Sequence, residues 1–293
     1  MLVPVLVDGR GRSGTTMMMH LLATSPQVAV ERRYPYEGYY YRYFLEWARV
    51  PVREQTRHDV WNTGALMHPA TGPLGDGLIG PIPWRDREIE GHGDTPLAEA
   101  LFRAAWTEFS RRAENHTRAH TPGLAPVRYY AEKCMRTQGL VGLDWVTTRR
   151  LFLVRDPRDV WLSILAFDAK RGYYGLGRLP DEPENEYLAR FLGGQADHLD
   201  AAIAARDAGA APVFRYEDIV TDPRGATLRL ERWLELELDA DAIVRDRAAF
   251  GHHMTSGSAL GSVERWRREL SEPLRETFST RLGTRLRALG YEP

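Results

Sequence analysis

The chain has 293 residues, 39 basic and 40 acidic side chains, and a formal net charge of −1. Neutrality excludes a dedicated DNA or RNA coat protein, which needs a basic excess, but leaves room for a local basic pocket. Two of the basic residues are lysines, Lys133 and Lys170, and 37 are arginines; the ratio reads first as coding bias of a GC-rich genome, yet it singles out each lysine, because the two cations are not chemically equivalent.

In chain order, residues 2–8 are apolar and β-branched and predict a strand. A glycine-rich turn follows, Gly9-Arg10-Gly11-Arg12-Ser13-Gly14, then a helix over 15–23 and a short strand over 28–31. This strand–loop–helix–strand opening is the signature of a parallel α/β sheet. Residues 36–49 are aromatic-rich and predict a helix, and the aromatic cluster of residues 34–47 reads either as core or as the lining of an apolar or sugar pocket. Residues 62–84, rich in Gly and Pro without periodicity, read as a long functional loop. Helices are predicted over 95–120, 159–170, 185–208, 224–235, 263–270 and 273–289, strands over 128–133, 151–154 and 212–215, and loops over 171–184 and 252–261. There is no internal repeat and no clean linker, so residues 1–293 read as one domain.

The longest apolar runs are far too short to cross a bilayer, so no stable membrane insertion is expected. The first four residues lack the basic and apolar regions of a signal peptide, and the one cysteine, Cys134, cannot form an internal disulfide. Both features point to a cytoplasmic protein.

The glycine-rich turn admits two readings. Gly9-x-Gly11-x-x-Gly14 after a strand fits a dinucleotide-binding loop, with Glu31 near the place of a ribose-binding acid. The same residues fit a phosphate loop of the GxxxxGK[ST] kind, except that Thr15 stands where lysine belongs. In both, the turn and the helix N-terminus offer backbone N–H groups to an anion. The arginines and hydroxyls of Arg12, Ser13, Thr15 and Thr16 favour an anionic terminal group held without a metal.

A second anion site is expected at Arg155. There an apolar strand runs into Arg155-Asp156-Pro157-Arg158-Asp159, with Asp156 as N-cap, Pro157 at the first helical position and Asp159 closing the cap. One of the two arginines is expected to pair with these aspartates. Arg155, at the carboxyl edge of the sheet, is the candidate ligand residue. Two anion sites at two strand ends suit a nucleotide with phosphates on its 5′ and 3′ sides.

The RSGTT loop, LVRDPRDVWLS, FRYED and SVERWRREL occur in an order that resembles sulfotransferases using 3′-phosphoadenosine-5′-phosphosulfate. LRALGYEP is similar to the tyrosylprotein-sulfotransferase branch, and ERRYPYE to a segment of many bacterial members. The resemblance covers nearly the whole chain. It implies a P-loop-like three-layer α/β fold with a central parallel sheet flanked by helices.

The resemblance also assigns roles. Arg12, Ser13, Gly14, Thr15 and Thr16 form the 5′-phosphosulfate loop; Arg155 and Ser163 hold the 3′-phosphate; Tyr216 lies near the nucleotide. Ser258, Ser262 and Arg265 close over the cofactor, with Ser256 a further candidate in a loosely matching loop. Lys133, at a strand end, takes the place of the catalytic lysine; its bland alternative is a pair with Glu132. Glu31 is the leading base and Glu37 its rival, each also a candidate ion-pair partner for nearby arginines. The cofactor is the phosphosulfate, the product 3′,5′-adenosine bisphosphate, and no metal is implied; His116 and His120 share a helical face without a third ligand. The acceptor is a small molecule, glycan or lipid, with 62–84 and 171–184 as lids over it. A P-loop small-molecule kinase and a nucleotide-binding module without chemistry are the alternatives.

Overall fold

A computed structural model describes residues 1–49, 96–120, 125–134, 142–179, 181–246 and 255–293. The predicted loop at 62–84 and the first three residues of the loop at 252–261 lie outside these. Five strands make one sheet: β1 (Val3–Gly9), β2 (Val28–Val30), β3 (Tyr129–Lys133), β4 (Arg149–Val154) and β5 (Val213–Arg215). Their order is β2-β3-β1-β4-β5. The strands are parallel, with Val28 opposite Tyr129 and Phe152 opposite Val213. Helices flank the sheet, as the α/β expectation requires. The continuous apolar runs of β1 and β4 fit strands buried on both faces.

The chain divides into two compact units. The first comprises Met1–Leu6 and Pro26–Arg149. Its core joins α2 (Tyr40–Arg49) to α3 (Pro96–His120) through Tyr41, Leu45, Phe102 and Trp106, with Tyr130 of β3 among them. The aromatic segment is therefore largely core. Trp106 is fully buried, stacks on Phe102 and donates its indole N–H to the Leu2 carbonyl at 3.0 Å. Trp106→Ala is expected to destabilise the protein by about 3–5 kcal/mol, since it opens a cavity and leaves that carbonyl unpaired. Chemical denaturation read by near-UV circular dichroism checks this.

The second unit comprises Val7–Ser25 and Arg150–Pro293. Here α4 (Pro157–Arg171), α5 (Glu184–Asp207) and α10 (Glu272–Ala288) enclose Trp161, Phe191, Phe278 and Leu282. Between α5 and α10 lie α6 (Tyr216–Thr221), α7 (Pro223–Leu234), α8 (Ala242–Arg245) and α9 (Trp266–Glu269).

Three local expectations need correction. The helix predicted from residue 36 begins at Tyr40, because Tyr36 and Tyr39 take left-handed φ values of 67° and 48° in the preceding turn. The helix predicted over 263–270 shrinks to Trp266–Glu269. A helix at Tyr216–Thr221 occurs where none was predicted.

Candidate functional site

The second unit holds the glycine-rich loop, which joins β1 to α1 (Thr15–Leu22). The turn closes when Ser13 donates its backbone N–H and its hydroxyl to the Arg10 carbonyl, at 3.1 and 2.6 Å. Gly9 must be small: a Cβ there would meet Thr15 Cγ2 at 2.5 Å. Gly14 sits at φ 93° and caps α1 without any side-chain acceptor. Glycine offers no capping side chain at this helix N-terminus, an arrangement that suits an anion.

Arg12 turns back from this loop onto α4. Its Nε donates to Ser163 Oγ at 3.0 Å, and its guanidinium lies 4.4 Å from the centre of the Phe167 ring. Ser163 is buried, and its Oγ lies 3.1 Å from Thr255 Oγ1. Arg155 follows β4 directly. Its guanidinium is buried, gives one hydrogen bond to the Arg12 carbonyl at 2.9 Å and another to the Ser262 carbonyl at 2.8 Å, and lies over Tyr216. Its Nε is buried without a partner among the described residues. The Tyr216 hydroxyl donates to Ser262 Oγ at 2.8 Å, which itself donates to the Ala259 carbonyl. Arg12, Arg155, Ser163, Tyr216 and Ser262 therefore form one connected group.

The other loop residues are held more locally. Ser256 donates to the Ser258 carbonyl at 2.7 Å, and Ser258 Oγ accepts from the Gly261 amide at 2.8 Å. Arg265 is occupied by both carboxylate oxygens of Glu269, at 3.0 and 2.6 Å, and this pairing raises its pKa. Residues near 176 stand over the loop: a Cβ on Gly11 would meet Leu176 Cδ2 at 3.0 Å, and Tyr187 holds the Leu176 carbonyl at 3.2 Å.

Two features at the head of α4 follow the sequence and one does not. Asp156 is the N-cap, accepting from the Arg158 amide at 2.9 Å, and its carboxylate also pairs with the Arg158 guanidinium at 2.9 and 2.8 Å. Asp159 does not close a capping box. It instead accepts from the backbone N–H of Glu264 and Trp266, at 2.7 and 3.0 Å, so it anchors the segment that carries Ser262 and Arg265. Burial pushes its carboxyl up to about 6. The cap amide of Asp156 goes to Glu217 Oε1 at 2.9 Å, and burial raises the Glu217 carboxyl as well.

The first unit holds Lys133, Glu31 and Glu37. Lys133 ends β3, is 5% exposed, and donates from Nζ to Glu37 Oε1 at 3.1 Å. Burial lowers its pKa and the Glu37 carboxylate works against that fall. Glu31 accepts from the backbone N–H and Nε of Arg33, at 3.0 and 3.3 Å. The rivals are thus separated: Glu37 sits on the lysine, and Glu31 on a neighbouring arginine. Glu132 does not pair with Lys133. It is buried and accepts from the Tyr41 and Arg42 amides at 2.8 and 3.1 Å.

Sequence reasoning missed Phe167 and Thr255. Phe167 lies four residues after Ser163 on one helix face, a spacing that could have revealed it. Thr255 carries no such signal. His116 and His120 are exposed with ring centres 4.1 Å apart. Among the described residues no cluster of three or more His, Cys, Asp or Glu side chains could hold a metal. No helix among them is long and apolar enough to cross a membrane.

Comparison with protein families matches residues 4–250 to the family described as "Sulfotransferase domain". Comparison with curated protein sequences gives no significant match. Among solved structures, retinol dehydratase in complex with androsterone and inactive cofactor PAP is 16% identical, over 97% of this chain and 80% of that one, with a TM-score of 0.45. Retinol dehydratase in a complex with retinol and PAP is 17% identical, over 97% and 81%, with a TM-score of 0.44.

Proposed function

Because this chain belongs to the sulfotransferase family, we propose that it transfers a sulfuryl group from 3′-phosphoadenosine-5′-phosphosulfate to a hydroxyl of a small-molecule, glycan or lipid acceptor. When bound, the nucleotide supplies an activated sulfuryl group and a phosphate leaving group. Arg12, Ser13, Thr15, Thr16 and the first amides of α1 would hold its 5′ end, with Gly14 keeping the backbone close. Arg155 and Ser163 would hold the 3′-phosphate, and Tyr216, Ser258, Ser262 and Arg265 the rest. Lys133, a compact cation, and Arg12 would stabilise charge on the leaving phosphate. Glu37 would take the acceptor hydroxyl proton, and we prefer it to Glu31 because it is the carboxylate that touches Lys133. The whole of residues 1–293 would act as one cytoplasmic domain, with 62–84 and 171–184 toward the acceptor.

The observation that carries the reading is Arg155. A buried guanidinium with an unpartnered Nε beside Arg12, Tyr216 and Ser262 is a cation short of one acceptor. An orphaned buried donor of this kind is costly, and an anion relieves it.

The test is thermal unfolding with 3′,5′-adenosine bisphosphate, ATP–Mg²⁺ and NAD in parallel. The bisphosphate is expected to stabilise the protein, by about 2.7 kcal/mol at a hundredfold excess over its Kd. Stabilisation by ATP–Mg²⁺ alone would overturn the reading in favour of a kinase, and by NAD alone in favour of a dinucleotide enzyme.

A further inference from the structure

Two consecutive residues of β3 contact two nearby parts of the segment that leads into α2. Lys133 holds Glu37, at 3.1 Å. Glu132 holds the amides of Tyr41 and Arg42, at 2.8 and 3.1 Å, one with each carboxylate oxygen. Those amides lie in the first turn of a helix, where no intrahelical carbonyl is in reach. The carboxylate therefore acts as a cap supplied 90 and 91 residues away in sequence. Only the turn of Gly38 and Tyr39 separates Glu37 from the capped helix, and it is tight: Tyr39 has φ 48°, and a Cβ on Gly38 would meet Glu31 Cβ at 3.0 Å. With the helix start fixed and the turn unable to stretch, the position of Glu37 follows from the position of Tyr41.

We infer that Glu132 is the positioning residue of this pair: by gripping the first turn of α2 it delivers Glu37 to Lys133. As a role in catalysis this rests on the sulfuryl-transfer reading above; as a structural coupling it does not. The arrangement is not the cheapest way to begin a helix. A local Ser, Thr, Asp or Asn cap would satisfy the same amides at the surface. Here a carboxylate is 1% exposed, and burial drives its pKa up to about 7 against the pull of both amides and of Arg42. The groups that face it are Tyr41 and Arg42 from α2, Tyr130 from its own strand, and Tyr39 from the turn. A buried acid that ties strand to helix locks the register of one against the other.

The test uses the two lysines as reporter and control. The full-length protein is trace-labelled with acetic anhydride at neutral pH, and acetylation of Lys133 is measured against Lys170 by peptide mass spectrometry. Neither nucleotide nor acceptor is needed. Loss of the Glu37 carboxylate removes the group that holds the lysine pKa up, so the neutral amine fraction is expected to rise, by about tenfold. Glu37→Gln is expected to give that rise. Glu132→Gln is expected to reproduce it, because an amide side chain has one acceptor oxygen for two facing amide donors. Glu132→Asp, with a shorter arm, is expected to fall between the wild type and Glu132→Gln. In a Glu37→Gln background, Glu132→Gln is expected to add nothing, since it acts through Glu37.

Unchanged Lys133 labelling in Glu132→Gln and Glu132→Asp would overturn the inference. So would a further rise in the double variant, which marks general loosening instead of positioning. Failure of the bisphosphate to stabilise the wild-type protein is a separate outcome. It would remove the sulfuryl-transfer reading and leave the Glu132–Glu37 coupling intact.

Discussion

Lys133→Ala is expected to lower turnover with the phosphosulfate donor by about 10²–10³-fold while leaving stabilisation by 3′,5′-adenosine bisphosphate unchanged. The split follows from the chemistry assigned to each group. Arg12, Arg155 and Ser163 are the proposed grip on the nucleotide, and Lys133 is proposed to act only where charge develops. Lys133 is suited to this: it is nearly buried, it ends a strand instead of riding a loop, and its Nζ already has an acceptor at 3.1 Å. Burial favours its neutral form and Glu37 favours its charged form. It is therefore a cation whose charge depends on its partner.

Lys133→Arg is the sharper control. In a chain with 37 arginines, coding bias alone offers arginine at every turn, yet this position is lysine. A planar fork needs more width than a compact ammonium and is not expected to restore turnover. The measurement is the initial rate of bisphosphate formation with a hydroxyl acceptor that supports turnover. A Lys133→Ala protein with wild-type kcat would remove this residue from the mechanism.

What the sequence made legible, and what it hid, divides by range of interaction. β1, the glycine-rich loop and α1 were readable because their causes are local. An apolar run makes the strand, glycines permit the turn, and Ser13 closes it on Arg10 three residues away. Asp156 and Pro157 were readable for the same reason, as cap and first helical residue. Asp159 was not. The spacing suggested a capping box, but its partners are amides 105 and 107 residues away. The start of α2 failed likewise, since helical spacing of aromatics continues back to Tyr36 while the cap comes from Glu132. Ser163 is a neutral helix residue by every local rule, and only the family resemblance singled it out. The structure gives it the Arg12 Nε as partner, 151 residues distant in sequence.

Glu31 against Glu37 shows the same limit. Both are acids beside arginines in a short aromatic segment, and no periodicity tells them apart. The choice depends on which of them the turn at 36–39 carries to β3. That turn uses left-handed tyrosines, which sequence rules discourage at those positions.

Gly14→Ala is expected to damage both stability and nucleotide binding, with a cost of about 2–4 kcal/mol from two additive causes. The first is backbone strain. Gly14 has φ 93°, a conformation that a side chain opposes. The second is steric. A Cβ would meet Tyr216 Cδ2 at 2.5 Å, so the ring or the loop must move. The ring is not free to give way, because its hydroxyl is bonded to Ser262 at 2.8 Å and the Arg155 guanidinium lies 4.4 Å from its centre. Displacing it disturbs the Ser262–Arg155–Arg12 chain, the proposed grip on the nucleotide. Gly172 separates the two causes. It too has positive φ, 76°, but a Cβ there meets nothing within 4 Å. Gly172→Ala therefore reports the backbone cost alone, about 1 kcal/mol. Adding Tyr216→Ala to Gly14→Ala is expected to relieve the clash without restoring bisphosphate stabilisation, because the ring that seats Arg155 is gone. Thermal unfolding with and without the bisphosphate reads all four proteins. If Gly14→Ala proves as mild as Gly172→Ala and keeps its bisphosphate response, the contact between loop and Tyr216 is incidental to binding.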